Sequence, residues 1–315
     1  MTPALRVAFL GNAPWSVPSV EALAASTHDL ALVATRVPRP AGRGSALTPT
    51  AVAEAARGLS LPLAEVETVK RGPGFDRLAR AAPDVLVVVA YGEILPPAVL
   101  ELPRIAPVNL HFSLLPALRG PAPVQRAILG GLTETGVTTM VMAQGVDTGP
   151  ILLQQAERIE PDDDAGTLGA RLAEAGASLL VRTLDLLAAG DLEPRPQEEE
   201  AATYAPKLSP EERWIDWSEE PDAVIRRIRA LSPDPAASTT FRDRVLKVFR
   251  ARAAEGSGSP GTVLSAGKAG MLVAAGGGAV MPLEVAPEGR RRMSGEEFVR
   301  GYRPREGEVL GARIA

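Results

Sequence analysis

Short runs of valine, leucine and alanine recur along the first part of the chain, at "LRVAFLG", "LALVATR", "LPLAEV" and "DVLVVVA". Each is brief, apolar and bounded by polar or turn-forming residues, which predicts a strand. Between them, "PSVEALAAS" and "AVAEAARG" place good helix formers at helical spacing. Strand alternating with helix predicts an α/β fold, a Rossmann-like and mostly parallel sheet flanked by helices. Further on, "APVQRAILGG" predicts a helix stopped by glycine, and "TGVTTMVMAQG" with "GPILLQQAERI" two more strands around a turn. A long helical stretch from about Gly166 to Ala189 closes a first domain at 1–189.

The texture then changes. "GDLEPRPQEEEAATYAPKLSP", residues 190–210, is rich in proline and charge and has no sustained apolar period, which predicts a linker. Beyond it, "VIRRIRAL" reads as a helix, while "STTFRDRVLKVFRARA", "GTVLSAG", "GMLVAAGGG" and "VMPLEVAPEG" read as short strands divided by glycines. That rhythm predicts a second, smaller domain at 211–315, an OB-like β-barrel with a helix.

Composition narrows the chemistry. The chain has 315 residues, 45% hydrophobic and 23% charged, enough for two domains with ordinary cores. With no cysteine, disulfides, thiolate metal sites and cysteine nucleophiles are excluded, which suits a reducing cytosol. The longest apolar runs are too short for a bilayer, and "MTPALRVAFLG" reads as a first strand rather than a leader, so a cytoplasmic protein is expected. The net charge of −4 is uneven. Residues 1–204 carry 16 Lys+Arg against 23 Asp+Glu, net −7, and residues 205–315 carry 18 against 15, net +3. Mostly arginine, the C-terminal excess fits either a face for a polyanion or an evenly solvated surface.

One stretch concentrates polar groups where a strand runs out: "NLHFSLLPALRGPAP", from Asn109 to Pro123. Asn109, His111 and Ser113 are alternate residues, and in an extended chain they share one face. Taken singly, such an asparagine or histidine is more often a satisfied cap, and Asp147 in "GVDTGP" more often part of a turn. Two other segments point away from familiar chemistries. "GNAPWSVPSV" follows the first strand but lacks the G-x-G-x-x-G spacing of a dinucleotide site, and the G-x-S-x-G elbow of a serine hydrolase is absent.

The segments "NLHFSLLPALRGPAPVQRAILGG" and "ETGVTTMVMAQGVDTGPIL" together resemble the signature of the folate-dependent formyltransferases. The resemblance implies the formyltransferase fold, 10-formyltetrahydrofolate as formyl donor without a metal, and Asn109, His111 and Asp147 as catalytic residues. Formyl transfer asks for such groups. A neutral amine attacks the formyl carbon, an oxygen gains negative charge and needs donors, and the attacking nitrogen must lose a proton. Asn109 supplies amide N–H groups, His111 another donor, and Asp147 a carboxylate to orient His111, hold it cationic and relay protons. The resemblance also lays "SLLP", Ser113, Leu114, Leu115 and Pro116, against the folate, with Tyr91, Gly92 and Leu95 of "VVVAYGEILP" as a second folate-side segment. Leucines and a proline would wall a flat ring. Ser113 serves equally as a turn cap, and Tyr91 to Leu95 equally as a core strand and helix entry. The family pattern places glycine after the histidine, where this chain has Phe112, whose ring is expected to turn away from Asn109 and His111 into the core.

"RPAGRGSALTP" and the C-terminal module resemble the tRNA-directed branch of the family. That implies methionyl-initiator tRNA as acceptor, with Arg43 reaching the end of its acceptor stem. Ser45 and Ala46 stand where the branch carries lysines, which weakens the loop's charge. Arg242, Arg244, Lys247, Arg250 and Arg252 of "FRDRVLKVFRAR" are candidate phosphate contacts, the arginines sharing one parity along a strand and Lys247 the other. A monomer is expected. Two alternatives remain: a transferase acting on a small amine such as a glycinamide ribonucleotide or an amino-sugar nucleotide, and an RNA-binding module with a decayed transferase domain.

Overall fold

A computed structural model describes residues 3–41 and 46–311. Its elements in chain order are β1 (Arg6–Gly11), α1 (Val17–Ala25), β2 (Asp29–Arg36), β3 (Arg39–Ala41), β4 (Ala46–Thr48), α2 (Ala51–Gly58), β5 (Leu63–Val66), α3 (Gly72–Ala81), β6 (Val85–Val89), α4 (Pro97–Leu100), β7 (Ala106–His111), α5 (Pro123–Leu129), β8 (Glu134–Val141), β9 (Ile151–Arg158) and α6 (Ala165–Ala189). There follow α7 (Pro221–Leu231), β10 (Ala237–Phe241), β11 (Arg244–Ala254), β12 (Val263–Gly267), β13 (Gly270–Ala275), β14 (Gly278–Pro287), β15 (Met293–Ser294) and α8 (Gly295–Tyr302). By contacts the chain divides into one unit of residues 1–123, 134–158 and 169–205 and a second of 124–133, 159–168 and 206–315.

The first unit holds a seven-stranded sheet in the order β5-β2-β1-β6-β7-β8-β9. The five strands from β5 to β7 pair in parallel, and β8 and β9 add on antiparallel. Every residue of β6, "VLVVV", is buried, as expected of a central parallel strand covered on both faces. On one face Ala8, Leu10, Leu32, Ala34, Leu86 and Val88 pack with Leu78 of α3 and Val99 of α4. On the other, Leu110 of β7 lies so close to α6 that a Cβ on Gly176 would strike it.

The chain starts at β1, builds outward to β2 and β5, then returns to β6 on the opposite side of β1. This reversal lies at the carboxyl ends of β1 and β6, the place where open α/β sheets receive ligands. Asn12, directly after β1, ties the rim together. Its carboxamide oxygen accepts from Arg36 N at 2.8 Å and the Thr35 hydroxyl at 3.0 Å, and its nitrogen donates to Tyr91 O.

In the second unit β10, β11, β14, β13 and β12 form an antiparallel sheet, with β15 beside β14. Residues 308–311 then bond to both of its edges. Gly311 exchanges backbone bonds with Thr240 of β10, while Val263 N of β12 donates to Glu308 O at 2.7 Å and Leu310 N to Gly261 O at 2.8 Å. The edges are thereby covered and the sheet closes on itself around a core of Val248, Val263, Val273, Val280 and Phe298. This is the small barrel the glycine-divided runs imply. Among the described residues no helix is long and apolar enough to cross a membrane.

Candidate active site

β7 runs beside β6, with Asn109 next to Val88 and Leu110 next to Val89, so Asn109 and His111 lie on the face that carries Tyr91 and Leu95. Leu110 and Phe112 take the α6 side. The Phe112 ring lies 5.8 Å from that of Trp15, whose own ring abuts Gly169 of α6. Phe112 is buried and is not among the residues with positive φ, so the absence of glycine there demands no unusual backbone.

Asn109 is half-buried, and among the described residues nothing bonds its carboxamide. His111 is nearly enclosed, its side chain 7% exposed. Its Nε2 lies 2.9 Å from Leu118 O, and since a carbonyl can only accept, Nε2 carries a proton. Nδ1 faces the Asp147 carboxylate at 3.6 Å, within ion-pair reach and beyond a direct hydrogen bond. The carbonyl of Leu118 therefore orients the ring, a role the sequence reading gave to Asp147. Asp147 Oδ2 itself accepts from Gly120 N at 2.8 Å. The structure thus brings His111 and Asp147 together across the loops that follow β7 and β8, and leaves Asn109 open on the same strand face as His111.

Two of these positions hold left-handed backbone, Leu118 at φ 59° and Asp147 at φ 54°. Aspartate tolerates this conformation better than most residues, and leucine does not. Gly149 completes the Asp147 turn, where a Cβ would overlap the Val141 carbonyl oxygen.

The folate-side candidates separate into backbone and side chain. Ser113 is buried and its hydroxyl donates to Ala117 O at 2.6 Å, so it closes its own turn. Leu114 packs over Gly136 of β8, and Leu115 joins Met140 and Ile151 in the core. The loop is held from behind. Thr138 donates its hydroxyl to Ser113 O at 2.6 Å and accepts from Leu115 N at 3.1 Å, while Gln154 donates to Leu115 O at 2.8 Å. Of the expected apolar wall, Leu115 is turned into the core, while Leu114, half-buried over Gly136, keeps part of its surface exposed. Tyr91 and Leu95 are likewise buried among core residues. Burial first, and the nearby Glu93 charge second, push the Tyr91 phenol up to about 12, so it stays protonated at physiological pH and is no base. Gly92 has φ 81° and open space where a side chain would stand, and Ile94 beside it is exposed. Pro116 is partly exposed. The surface offered here is backbone at Tyr91–Gly92, part of Leu114, Pro116 and the unpredicted Ile94.

Sequence reasoning also missed Arg119. Its side chain is fully enclosed, donating to both Glu199 oxygens at 2.8 and 2.9 Å and to Gln197 Oε1 at 3.0 Å. These partners lie in the segment read as a linker, which through Ala205 is bonded onto the first unit. Nothing in their local sequence signals a contact with residues some eighty positions away.

Arg43 lies outside the described residues; β3 and β4, flanking it, pair antiparallel. In the second unit the parity argument for the arginines is corrected by two features. A turn at Arg242–Asp243, both at positive φ, separates β10 from β11, and a bulge at Arg250 shifts the register of β11. Leu246 and Val248 therefore face the core and Lys247 faces out, and after the bulge Arg250 and Arg252 also face out. Arg242 is held by Glu308 at 2.8 Å and by the Tyr302 and Arg303 carbonyls. Lys247 donates to Pro235 O at 3.0 Å, and Arg252 meets Met281 Sδ at 3.4 Å. Arg244 and Arg250, together with the unpredicted Arg290, Arg291 and Arg300, bear no side-chain bond among the described residues. Hollows lined by Arg244 and Arg290, and by Arg291 and Arg300, adjoin Tyr302.

The comparisons with known proteins follow this layout. A formyl transferase model matches residues 5–184, and a formyl transferase C-terminal domain model matches 207–303. The methionyl-tRNA formyltransferase of Thiobacillus denitrificans is 45% identical over 311 residues, 98% of this chain and 100% of that protein. That of Pelotomaculum thermopropionicum is 41% identical over 310 residues, 98% and 99% of the two chains. Among solved structures, HypX from Aquifex aeolicus in complex with tetrahydrofolic acid superposes with a TM-score of 0.65 at 19% identity. It covers 99% of this chain and 51% of its own, so this chain spans about half of HypX. Methionyl-tRNA formyltransferase from Clostridium thermocellum superposes with a TM-score of 0.55 at 16% identity, over 80% of this chain and 94% of that one. These two likenesses speak for the fold alone. Matched by family models in both parts and by relatives along nearly its whole length, the chain belongs to the formyl transferase family.

Proposed function

We propose that the protein transfers the formyl group of 10-formyltetrahydrofolate to the free amino group of methionyl-initiator tRNA. The observation that carries this reading is the likeness to methionyl-tRNA formyltransferases at 41–45% identity through both units, the basic C-terminal one included.

The residues divide the work. Asn109, its carboxamide unbonded among the described residues, donates to the oxygen on which negative charge develops. His111, its Nε2–H committed to Leu118 O, turns Nδ1 toward the Asp147 carboxylate and so holds a fixed ring edge beside Asn109. Asp147 then takes up, through water, the proton that the attacking amine loses and returns it to the donor nitrogen released as the formyl C–N bond breaks. The folate, when bound, supplies an activated formyl group. The carboxyl end of the sheet suits a flat ring, with open space at Gly92, an exposed Ile94 and a partly exposed Pro116. Ser113, Leu115, Tyr91 and Leu95, all buried, then act by shaping the surrounding backbone, and the half-buried Leu114 adds apolar surface for the ring.

Residues 1–189 form the catalytic domain in this reading and 211–315 the tRNA-binding domain, with 190–210 between them. Arg43, Arg244 and Arg250 are assigned to the tRNA, while Arg242, Lys247 and Arg252 are first engaged within the protein. A transferase directed at tRNA works where tRNA is, so the compartment is the cytoplasm. A monomer suffices, since every group named lies on one chain. The test offers initiator methionyl-tRNA, elongator methionyl-tRNA, glycinamide ribonucleotide and an amino-sugar nucleotide to the purified protein with 10-formyltetrahydrofolate. Formylation of the initiator tRNA is expected. Formylation of a small amine alone would overturn the assignment, and no transfer to any acceptor would favour a decayed enzyme.

A further inference from the structure

Residues 195–205 run between the two loops of the site and bond to both. Arg195 and Ile151 exchange backbone bonds at 2.7 and 2.8 Å. Gln197 Nε2 donates to Asp147 O at 2.8 Å and to Gly149 O at 2.7 Å, the two carbonyls of the Asp147 turn. Its Oε1 accepts from Arg119 Nε, and Glu199 takes the far side of the same guanidinium. Thr203 Oγ1 accepts from Leu118 N at 2.9 Å, its carbonyl accepts from Arg119 N at 2.9 Å, and its N–H donates to Pro116 O at 3.2 Å.

These bonds end on the two left-handed residues of the site. A leucine at φ 59° persists only where its surroundings hold it. Thr203 is the hydroxyl that does so from the amide side, while on the carbonyl side Leu118 accepts from His111. Moving Leu118 moves the atom that fixes which nitrogen of His111 bears the proton and where the ring points. Likewise the Asp147 carboxylate hangs on a turn whose carbonyls are gathered by one amide group, Gln197 Nε2.

We propose that Gln197 and Thr203 are positioning residues for formyl transfer: Gln197 sets the turn that carries the Asp147 carboxylate, and Thr203 sets the Leu118 carbonyl that fixes the His111 ring. The proposal rests on the reading of His111 and Asp147 as groups of the reaction. Neither residue touches the reacting atoms. Both work through backbone, which explains why polar residues in a proline-rich segment are needed at all.

The test uses the full chain carrying Thr203→Val, Thr203→Ser, Gln197→Ala or Asp147→Asn. Thr203 is exposed, so its valine variant empties no core. Expected for Thr203→Val and Gln197→Ala is a fall in kcat of about ten- to a hundredfold. The KM for donor and tRNA stays within about twofold of the original, the pH–rate profile is displaced, and Thr203→Ser recovers the original rate. A second measurement reads the ring directly. With only two histidines in the chain, 15N NMR of the imidazoles resolves His111. The unaltered protein should show a proton fixed at Nε2, and Thr203→Val a mixture of tautomers. Unchanged His111 shifts together with an unchanged kcat and pH profile in both variants would overturn the proposal. So would a loss in Thr203→Ser equal to that in Thr203→Val, tracking only the folded fraction. If Asp147→Asn keeps the full rate, the underlying catalytic reading fails by itself. If Asp147→Asn is slow and the Gln197 and Thr203 variants are not, only the positioning roles fail.

Discussion

At the scale of single residues, Asp147 offers an unusually clean substitution. It sits at φ 54°, a conformation that asparagine adopts about as readily as aspartate, so Asp147→Asn keeps the turn and removes only the charge beside His111. Turnover is expected to fall by about a hundredfold, with the folate and tRNA KM values little changed and the thermal midpoint preserved. A parallel drop in thermal midpoint would assign Asp147 to structure instead. His28, the other histidine, is buried with Nδ1 accepting from Leu5 N at 3.2 Å. Its Nε2 lies 3.3 Å from the half-exposed Asp185 carboxylate without hydrogen-bond alignment. Burial lowers its pKa from the ordinary 6.5, outweighing the opposing pull of Asp185. Between the lowered folded value and 6.5 the unfolded chain holds more protons, so this group's stability is whole above 6.5 and is lost as pH falls below it. The thermal midpoint should therefore drop less between about pH 7 and about pH 5.5 in His28→Gln than in the original protein. Equal drops would show that His28 plays no part.

At the scale of elements, the sequence was most legible where burial is greatest. A strand such as β6 is all valine and leucine because helices cover both its faces, and no other element fits that pattern. Asn109 and His111 were legible for the same reason, since alternation along β7 sets their shared face. What stayed hidden depends on partners far away in sequence. Nothing in "RPQEEEAATYA" announces that Gln197 and Thr203 meet carbonyls and amides near Asp147 and Leu118. Ser113 and Leu115 resemble ligand contacts until Thr138 and the core claim them. The turn at Arg242–Asp243 was hidden because two charged residues take positive φ there, where asparagine and glycine are the usual signal. Its consequence is testable. Arg242 is committed to Glu308, so Arg242→Ala should lower the thermal midpoint and leave the KM for tRNA nearly unchanged. A combined Arg244→Ala and Arg250→Ala variant should do the reverse, raising that KM and reducing its salt slope by roughly one per lost phosphate contact. The opposite pairing of effects would make Arg242 a tRNA contact and leave Arg244 and Arg250 to the solvent.

At the scale of the whole molecule, charge is divided between an acidic first part at net −7 and a basic second part at net +3. An acidic catalytic part is a poor collector of a polyanion, so the proposed reading gives most of the grip on tRNA to arginines of the second. Raising salt from about 50 to about 200 mM should weaken tRNA binding by tenfold or more, and donor binding much less. Salt curves of equal slope for both substrates would remove the electrostatic division of labour. The central claim, however, concerns the site: an unbonded carboxamide on the strand face shared with a histidine held by Leu118 and flanked by Asp147 performs formyl transfer. Single-turnover formylation of initiator methionyl-tRNA, with both substrates saturating, measures that step in the original protein and in Asn109→Ala. A rate lower by about a hundredfold or more in the variant, with both substrates still bound at the original affinity, is predicted. Equal rates would contradict it.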